Sequence, residues 1–430
     1  MRVKIKTLGC KVNFVESLAL EELLRNAGFE ITEDELCDIF ILNSCSVTNE
    51  SDKKSRQALS RNRKINPDNY SVIMGCYSQV SKDELLKNKN VNLITGNMNK
   101  LDIVTKLIER KNSKESMVDD ISKYRVFESL PVHGHGEKTR GFIKIQDGCD
   151  NFCSYCIIPF ARGRVRSNDL DSIKKEAKYL SDSGVKEIVT TGIEVASYGK
   201  DLDDIGLIDA IESVSMAAPN VRLRLSSLEI GVVDEEFLKR LKNLDNFCDH
   251  FHLSLQSGCD KILKKMNRKY NTEIFKSKVD LIRKYYPNAG ITSDIIVGFP
   301  SEDEKDFKET MKYVKDIRLS RIHVFPYSIR KNTKAADMEQ VDGNIKIDRA
   351  KRLRLLADEL SDDFKYSQIN IPQKVLIEER SKGKFSGYTT NYIHCELSTD
   401  EFPNIELNSI VDLKLINKDG ELRWTACSAK

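Results

Sequence analysis

The chain is predicted to be an α/β protein of three parts: an N-terminal doubly wound parallel sheet, a central partial (β/α)6 barrel and a C-terminal small antiparallel β-barrel. Three observations predict this. Strand-like and helix-like pieces alternate from residue 3 to about 110, the alternation resumes at Gly141 for six further units, and beyond about residue 366 the apolar period falls to two. The expected boundaries are 1–112, a linker at 113–139, 140–366 and 367–430.

Val3 to Leu8 alternates and ends at Gly9-Cys10, and Asn13 is the expected cap of a helix carrying Val15, Leu18, Leu20, Leu23 and Leu24. Ile39 to Leu42 is a buried-type strand running into Asn43-Ser44-Cys45, followed by a helix to about Ile65 with Asn49 or Ser51 as its cap. Val72 to Met74 ends at Gly75-Cys76; a helix from Lys82, a strand Val91 to Ile94 and a helix near Lys100–Arg110 complete the unit. Residues 111–139 read as linker, polar at Lys111 to Ser116 and turn-like at Pro131 to Gly136. His133 and His135 within it have no acid or thiol pattern nearby and read as loop.

The barrel strands are expected at Phe142–Gln146, Glu187–Thr191, Arg222–Ser226, His250–Leu255, Thr292–Val297 and Arg321–Tyr327, with helices such as Leu170–Ser183, Asp234–Leu244 and Glu302–Lys315 between them. Chemistry in such barrels sits at the C-terminal strand ends. Those ends carry Gly192 and Glu194, Ser227 and Glu229, Gln256-Ser257-Gly258, and Gly298-Phe299-Pro300. A helix from Ile347 to about Phe364 closes the barrel, and short strands follow at Lys374–Glu378, Tyr388–Leu397, Ile410–Leu415 and Leu422–Ala426. Lys382 and Lys384, a basic loop beside Tyr388 and Tyr392, form a candidate RNA surface, because aromatic rings stack on bases.

With 40% hydrophobic and 31% charged residues and a net charge of +3, the chain reads as an ordinary globular protein. Bulk charge does not mark a nucleic-acid binder, so any RNA contact must come from patches such as the basic helix Asp52 to Lys64. No apolar signal region opens the chain and no apolar run reaches membrane-spanning length, so a cytoplasmic location is expected. There the 11 cysteines read as ligands, nucleophiles or core rather than disulfides.

Gly148 to Cys156 holds three thiols, Cys149, Cys153 and Cys156, at C-x3-C-x2-C spacing directly after the first barrel strand. Four thiolates close a zinc site or fill an iron–sulfur cluster. Three on one loop hold a four-iron cluster and leave one iron open to a small molecule; a zinc knuckle completed by a distant Cys or His is the alternative. Cys10, Cys45 and Cys76 each follow a different strand of the N-terminal sheet, at the edge where doubly wound folds bind ligands. They are expected to converge on a second cluster. Cys37 falls at the opposite edge, and Cys248 and Cys259 lie outside the ligand spacings.

Thr7-Leu8-Gly9-Cys10-Lys11-Val12-Asn13, Asn43 to Thr48, Gly75-Cys76-Tyr77-Ser78-Gln79 and Cys149–Cys156 with Ile157 to Gly163 together resemble the radical S-adenosylmethionine (SAM) methylthiotransferases over nearly the full length. Ser51 to Gln57 and Gln146 to Asp150 are most similar to the MtaB-type branch, whose substrate is N6-threonylcarbamoyladenosine next to the tRNA anticodon. Ser44 and Ser46 stand where threonines are expected. The isopentenyladenosine and ribosomal-protein branches are less similar and remain the alternatives.

The resemblance implies two [4Fe-4S] clusters, one on Cys149, Cys153 and Cys156 that cleaves SAM, the other on Cys10, Cys45 and Cys76 that delivers sulfur. It implies radical removal of the adenine C2 hydrogen, sulfur insertion, and methylation by a second SAM. Tyr155, Gly192, Glu194, Glu229, Arg268 and Gly298 are the expected SAM contacts. Glu194 and Glu229 serve the amino group and ribose, and Arg268 the carboxylate, which a guanidinium pairs bidentately. The implied partners are the tRNA anticodon stem-loop, gripped by a TRAM-like C-terminal barrel, and a low-potential electron donor such as flavodoxin or ferredoxin.

Overall fold

The computed structural model describes residues 1–110, 113–130 and 139–427. The N-terminal unit is a six-stranded parallel sheet of β1 (Arg2–Thr7), β2 (Glu30–Ile31), β3 (Ile39–Ser44), β4 (Tyr70–Gly75), β5 (Leu93–Thr95) and β6 (Glu115–Met117), in the order β2-β1-β3-β4-β5-β6. Its apolar strands are covered on both faces, as parallel sheets require: Val3, Ile39, Ile41 and Val72 pack with Leu20 and Leu24, while Phe40, Leu42 and Ile73 pack with Leu59. β6 lies inside the expected linker. It is three residues long and polar, so its sequence gives no strand signal, yet it completes the sheet by pairing with β5. Lys111 and Asn112, and the turn-like segment Pro131 to Gly136 with its two histidines, lie outside the described residues.

Two helix starts differ from expectation. The helix Lys11–Asn26 begins two residues before Asn13, which is buried in its first turn and donates its amide to Leu8 O and Ser44 O, both at 2.9 Å. The helix Asn49–Ile65 is capped by Thr48, whose hydroxyl accepts from Ser51 N at 3.2 Å.

The central unit curls six parallel strand positions: β7 (Arg140–Lys144), β10 (Glu187–Thr191), β11 (Arg222–Leu225) continued by β12 (Ser227–Leu228), β13 (His250–Gln256), β14 (Gly290–Val297) and β15 (Arg321–Pro326). The third is interrupted at Ser226. A short antiparallel pair, β8 (Gln146–Asp147) and β9 (Arg166–Ser167), frames the cysteine loop. β7 and β15 are not hydrogen-bonded to each other, so the barrel is open on one side. The helix Lys11–Asn26 lies against β7, with Phe14 edge-on to Phe142 at 5.6 Å. The helix Gly343–Ser367 packs along β15 and is longer at both ends than its apolar positions suggested.

The C-terminal unit is an antiparallel sheet, β18-β17-β16-β19-β20, of β16 (Pro372–Ser381), β17 (Lys384–Thr389), β18 (His394–Ser398), β19 (Ile410–Lys418) and β20 (Glu421–Ala426). The stretch read as one strand, Tyr388–Leu397, is the end of β17, a turn and β18. Asn391 in that turn is buried and bonds its own neighbour Thr389, so the break comes from side-chain chemistry. The same turn docks the sheet onto the base of the barrel. A Cβ on Gly290 would stand 2.0 Å from Asn391 O. Gly290→Ala therefore forces the two units apart and is expected to destabilise the protein by about 1–3 kcal/mol, read as a lower thermal midpoint; an unchanged midpoint contradicts this docking.

Candidate functional site

The first thiol trio sits on the loop from β8 to the helix Ile158–Arg162. Backbone bonds fix the loop: Ser154 N donates to Met266 O at 3.0 Å, Ala335 N to Ser154 O at 2.8 Å, and Asn267 Nδ2 to Phe152 O at 3.0 Å. Burial pushes the Cys149 and Cys156 thiols up to about 12. Thiols bind a metal centre as thiolates, so binding at this loop is coupled to proton release.

Arg268 reaches this trio. Its NH1 donates to Cys153 Sγ at 3.3 Å, its Nε to the Tyr270 hydroxyl at 2.9 Å and its NH2 to Ser254 O at 3.1 Å. The expected pairing of Arg268 with a SAM carboxylate competes with three bonds already made. Its position fits a group that orients a thiolate. Glu194 and Glu229 face the same loop from two strand ends. Burial, then Glu229, raises the Glu194 carboxyl to about 7, and Glu194 Oε1 is buried without a hydrogen-bond partner. An orphaned carboxylate oxygen beside three thiols suits an ammonium group, the donor SAM carries. Glu229 accepts from Gly231 N at 3.0 Å and stands 3.9 Å from Arg268 NH2. The Tyr155 ring meets Phe299 edge-on at 6.4 Å in an apolar cluster. Gly192 packs on Gln146, and Gly298, at φ +66°, lies against the Lys346 side chain.

The second trio follows β1, β3 and β4, three adjacent strands, so Cys10, Cys45 and Cys76 share one sheet edge as expected. Gly9 permits the approach: it adopts φ +107°, and a Cβ there would stand 2.7 Å from Cys45 Cβ. Cys45 and Cys76 are buried and Cys10 is exposed. Burial raises the Cys76 thiol to about 11, against the pull of Arg162. Cys37, Cys248 and Cys259 are buried, and Cys259 packs in the apolar cluster that includes Tyr155 and Phe299.

Sequence reasoning missed what joins the trios. Arg162, six residues beyond Cys156 and fully buried, donates Nε to Cys76 Sγ at 3.3 Å. Its NH1 and NH2 grip Glu16 at 2.6 and 3.0 Å, and NH2 also donates to Asn13 Oδ1 at 2.6 Å. Asn97 donates to Cys76 Sγ at 3.7 Å and to Ala161 O at 2.7 Å. Lys144 bridges Glu16 and Asp147 at 2.8 and 2.6 Å, and Lys100 lies 3.4 Å from Glu16. Burial pushes the Glu16 carboxyl upward, but Arg162, Lys100 and Lys144 outweigh it and hold it well below the carboxylate range. The spacing of an arginine after a cysteine loop carries no warning of this; only the contact between the helix Ile158–Arg162 and Cys76–Val80 reveals it.

The basic helix presents Lys53, Arg56, Arg61 and Lys64 along an open groove. Asp52 instead turns inward and pairs with Arg330 of the barrel at 2.6 Å. In the C-terminal sheet, Lys382 and Lys384 are exposed on the turn between β16 and β17, and Lys384 pairs with Glu396 at 2.9 Å. Tyr388 and Tyr392 do not flank this turn as a base-stacking platform. They stack on each other at 4.7 Å, Tyr392 stacks on His250 at 4.5 Å, and the Arg140 guanidinium lies 5.2 Å from the Tyr388 ring. Both rings are engaged at the base of the barrel, because the end of β17 and the turn after it dock there, at the opposite end of the strand from Lys384.

Residues 143–314 match the Radical SAM superfamily and residues 2–96 match the uncharacterized protein family UPF0004. The chain is 38% identical over 401 residues to threonylcarbamoyladenosine tRNA methylthiotransferase MtaB of Bacillus subtilis, covering 91% of this chain and 89% of that protein. It is 37% identical over 422 residues to the MtaB of Thermotoga maritima, covering 96% of each. Likeness extends to tRNA-2-methylthio-N(6)-dimethylallyladenosine synthase of Natranaerobius thermophilus, 37% identical over 87% of this chain and 85% of that one. Among solved structures, the radical SAM methyltransferase TsrM of Kitasatospora setae, with cobalamin and a [4Fe-4S] cluster bound, shares the fold with a TM-score of 0.57 at 16% identity, covering 78% of this chain and 77% of that one.

Proposed function

The chain belongs to the radical SAM methylthiotransferases, in the branch of the threonylcarbamoyladenosine tRNA methylthiotransferases, and from that premise we propose that its two cysteine trios divide the reaction between them. The enzyme attaches a methylthio group to C2 of N6-threonylcarbamoyladenosine next to the tRNA anticodon. C2–H is unactivated, so acid–base and nucleophilic catalysis do not suffice. A SAM-binding [4Fe-4S] cluster supplies the radical that such a C–H bond demands.

Cys149, Cys153 and Cys156 would hold that cluster. Arg268 orients the Cys153 sulfur, Glu194 accepts the SAM ammonium, and the Tyr155 and Phe299 rings close the apolar side. Cys10, Cys45 and Cys76 would hold a second cluster that carries the sulfur. Arg162 steadies the Cys76 sulfur from the barrel side and, through Glu16 and Asn13, locks the two units in register. The observation that supports this division is that three thiols lie together on the loop after β8 and three more share one edge of the N-terminal sheet, with Arg162 linking the two sides. Nucleoside mass spectrometry on tRNA treated with the reconstituted enzyme tests it. Appearance of the methylthio derivative of threonylcarbamoyladenosine is expected; modification of dimethylallyladenosine alone would move the chain to the neighbouring branch.

Transfer RNA must reach the seam by its anticodon loop, whose bases unstack at modest cost. The groove of Lys53, Arg56, Arg61 and Lys64 and the exposed Lys382 and Lys384 are the proposed phosphate contacts. Replacing Lys382 and Lys384 together by Ala is expected to weaken tRNA binding and lower the salt dependence by a slope of about 1–2, with iron content unchanged. Equal affinity at every salt concentration rejects that contact.

A further inference from the structure

A cavity of about 200 Å3 opens inside the barrel between Lys11 of the N-terminal unit and Tyr392 of the C-terminal one. Arg140, Arg224 and three histidines, His250, His252 and His323, contribute to its wall; among the described residues no carboxylate lines it, although Asp294 stands 3.3 Å from His252. It is smaller than the roughly 300 Å3 at which whole-ligand pockets begin, so it suits a substituent rather than a nucleoside.

Its polar groups are unevenly satisfied. Arg224 and Arg140 are committed to Glu187, at 2.8 and 2.9 Å. Lys11 makes no hydrogen bond or ion pair among the described residues; its ammonium lies 6.0 Å from the Phe142 ring. Lys11 is solvent-exposed although it lines the cavity, so its ammonium is free to meet an incoming anion. His250 Nδ1 and Ser226 Oγ have no hydrogen-bond partner although these residues are only 5% and 8% exposed. A buried donor or acceptor left unpaired destabilises the protein. A ligand that brings hydrogen-bonding groups for these two buried atoms and an anion for Lys11 satisfies all three groups. Lys11 directly follows Cys10, so the cavity adjoins the second trio.

His252, Asp294 and His323 bring ligand atoms within 4.8 Å of one another, a donor set for a divalent cation. Arg140 and Arg224 already have carboxylate partners, which leaves Lys11 as the cation of this wall without one among the described residues, so the missing partner is an anion. A dimethylallyl group supplies neither charge nor hydrogen bonds. A threonylcarbamoyl group supplies a carboxylate, a hydroxyl, an N–H and a carbonyl.

Resting on the substrate reading above, we propose that this cavity is the specificity pocket for the N6 substituent, with the threonyl carboxylate paired to Lys11 and the hydroxyl and carbamoyl groups bonded by Ser226 and His250. The pocket discriminates by charge, so neutralising either side of the pair removes its preference.

The test measures binding of the iron-loaded full-length protein to anticodon stem-loops carrying threonylcarbamoyladenosine, its threonyl methyl ester, or adenosine. The acid is expected to bind at least ten-fold more tightly than the ester. Lys11→Met is expected to equalise acid and ester, Lys11→Arg to keep most of the preference, and Ser226→Ala to weaken the acid several-fold. Equal binding of acid and ester by the unaltered protein overturns the proposal, as does a ten-fold preference surviving in Lys11→Met. Should Lys11→Met lose iron, the wild-type comparison and Ser226→Ala decide. Mass spectrometry separates the two levels: no conversion of threonylcarbamoyladenosine defeats the substrate reading, whereas conversion of acid and ester with equal KM defeats the pocket alone.

Discussion

Cys153→Ala is expected to abolish both SAM cleavage and methylthiolation, while Cys76→Ala is expected to abolish methylthiolation and leave SAM cleavage in place. The difference follows from where the thiols lie. Cys153 belongs to the loop that faces Glu194, and its sulfur is the one Arg268 bonds. On the proposed assignment, loss of Cys153 leaves two thiols on that loop to hold a cluster that already lacks a fourth protein ligand, which is too few. Cys76 is held from the opposite side by Arg162 and Asn97, on a separate sheet edge. On the proposed assignment, its loss removes the sulfur carrier without touching the loop proposed to bind SAM. Quantifying 5′-deoxyadenosine and methylthio-nucleoside in parallel reads both outcomes. Methylthiolation persisting in Cys76→Ala would end the two-trio account.

Glu16→Gln carries the largest expected effect on stability. Glu16 is 1% exposed and receives Arg162, Lys144 and Lys100 within 3.4 Å. Removing its charge leaves three buried cations to share Asp147 and Glu128. Breaking a buried ion pair on one side costs about 3–5 kcal/mol. At about 2–4 °C per kcal/mol for a unit of this size, the thermal midpoint is expected to fall by roughly 6–20 °C. The sign of the pH dependence follows from the same network. The Glu16 and Asp147 carboxyls are held below their ordinary values, so the stability they contribute is fully present above about pH 5 and is lost as acid titrates toward the depressed folded values. A midpoint for Glu16→Gln within 1 °C of the unaltered protein would show that this seam does not hold the units together.

The fold was readable where hydrophobic period and topology agree. Ile39 to Leu42 is apolar at every position and is buried at every position, as a central parallel strand must be. Cysteines placed just past three such strands mark a site because strand ends in a parallel sheet share an edge. What escaped the reading depends on long-range pairing. β6 is polar and takes its strand form only from β5. Asn13 has the chemistry of a cap and is instead a buried link among Leu8, Ser44 and Arg162. Tyr388 near the end of β17 and Tyr392 in the turn after it lie against the barrel, a fact that depends on how the hairpin docks rather than on its sequence. Lys11, Ser226 and His250 are scattered along the chain and become a pocket only when the barrel closes around them.

Iron and sulfide quantification combined with electron paramagnetic resonance, with and without SAM, tests the two-trio assignment most directly. Anaerobically reconstituted protein is expected to hold two four-iron clusters, the triple variant Cys10→Ala, Cys45→Ala, Cys76→Ala only one, and SAM is expected to alter the signal that remains in that variant. Zinc in place of iron, a single cluster in the unaltered protein, or a remaining signal indifferent to SAM would contradict it.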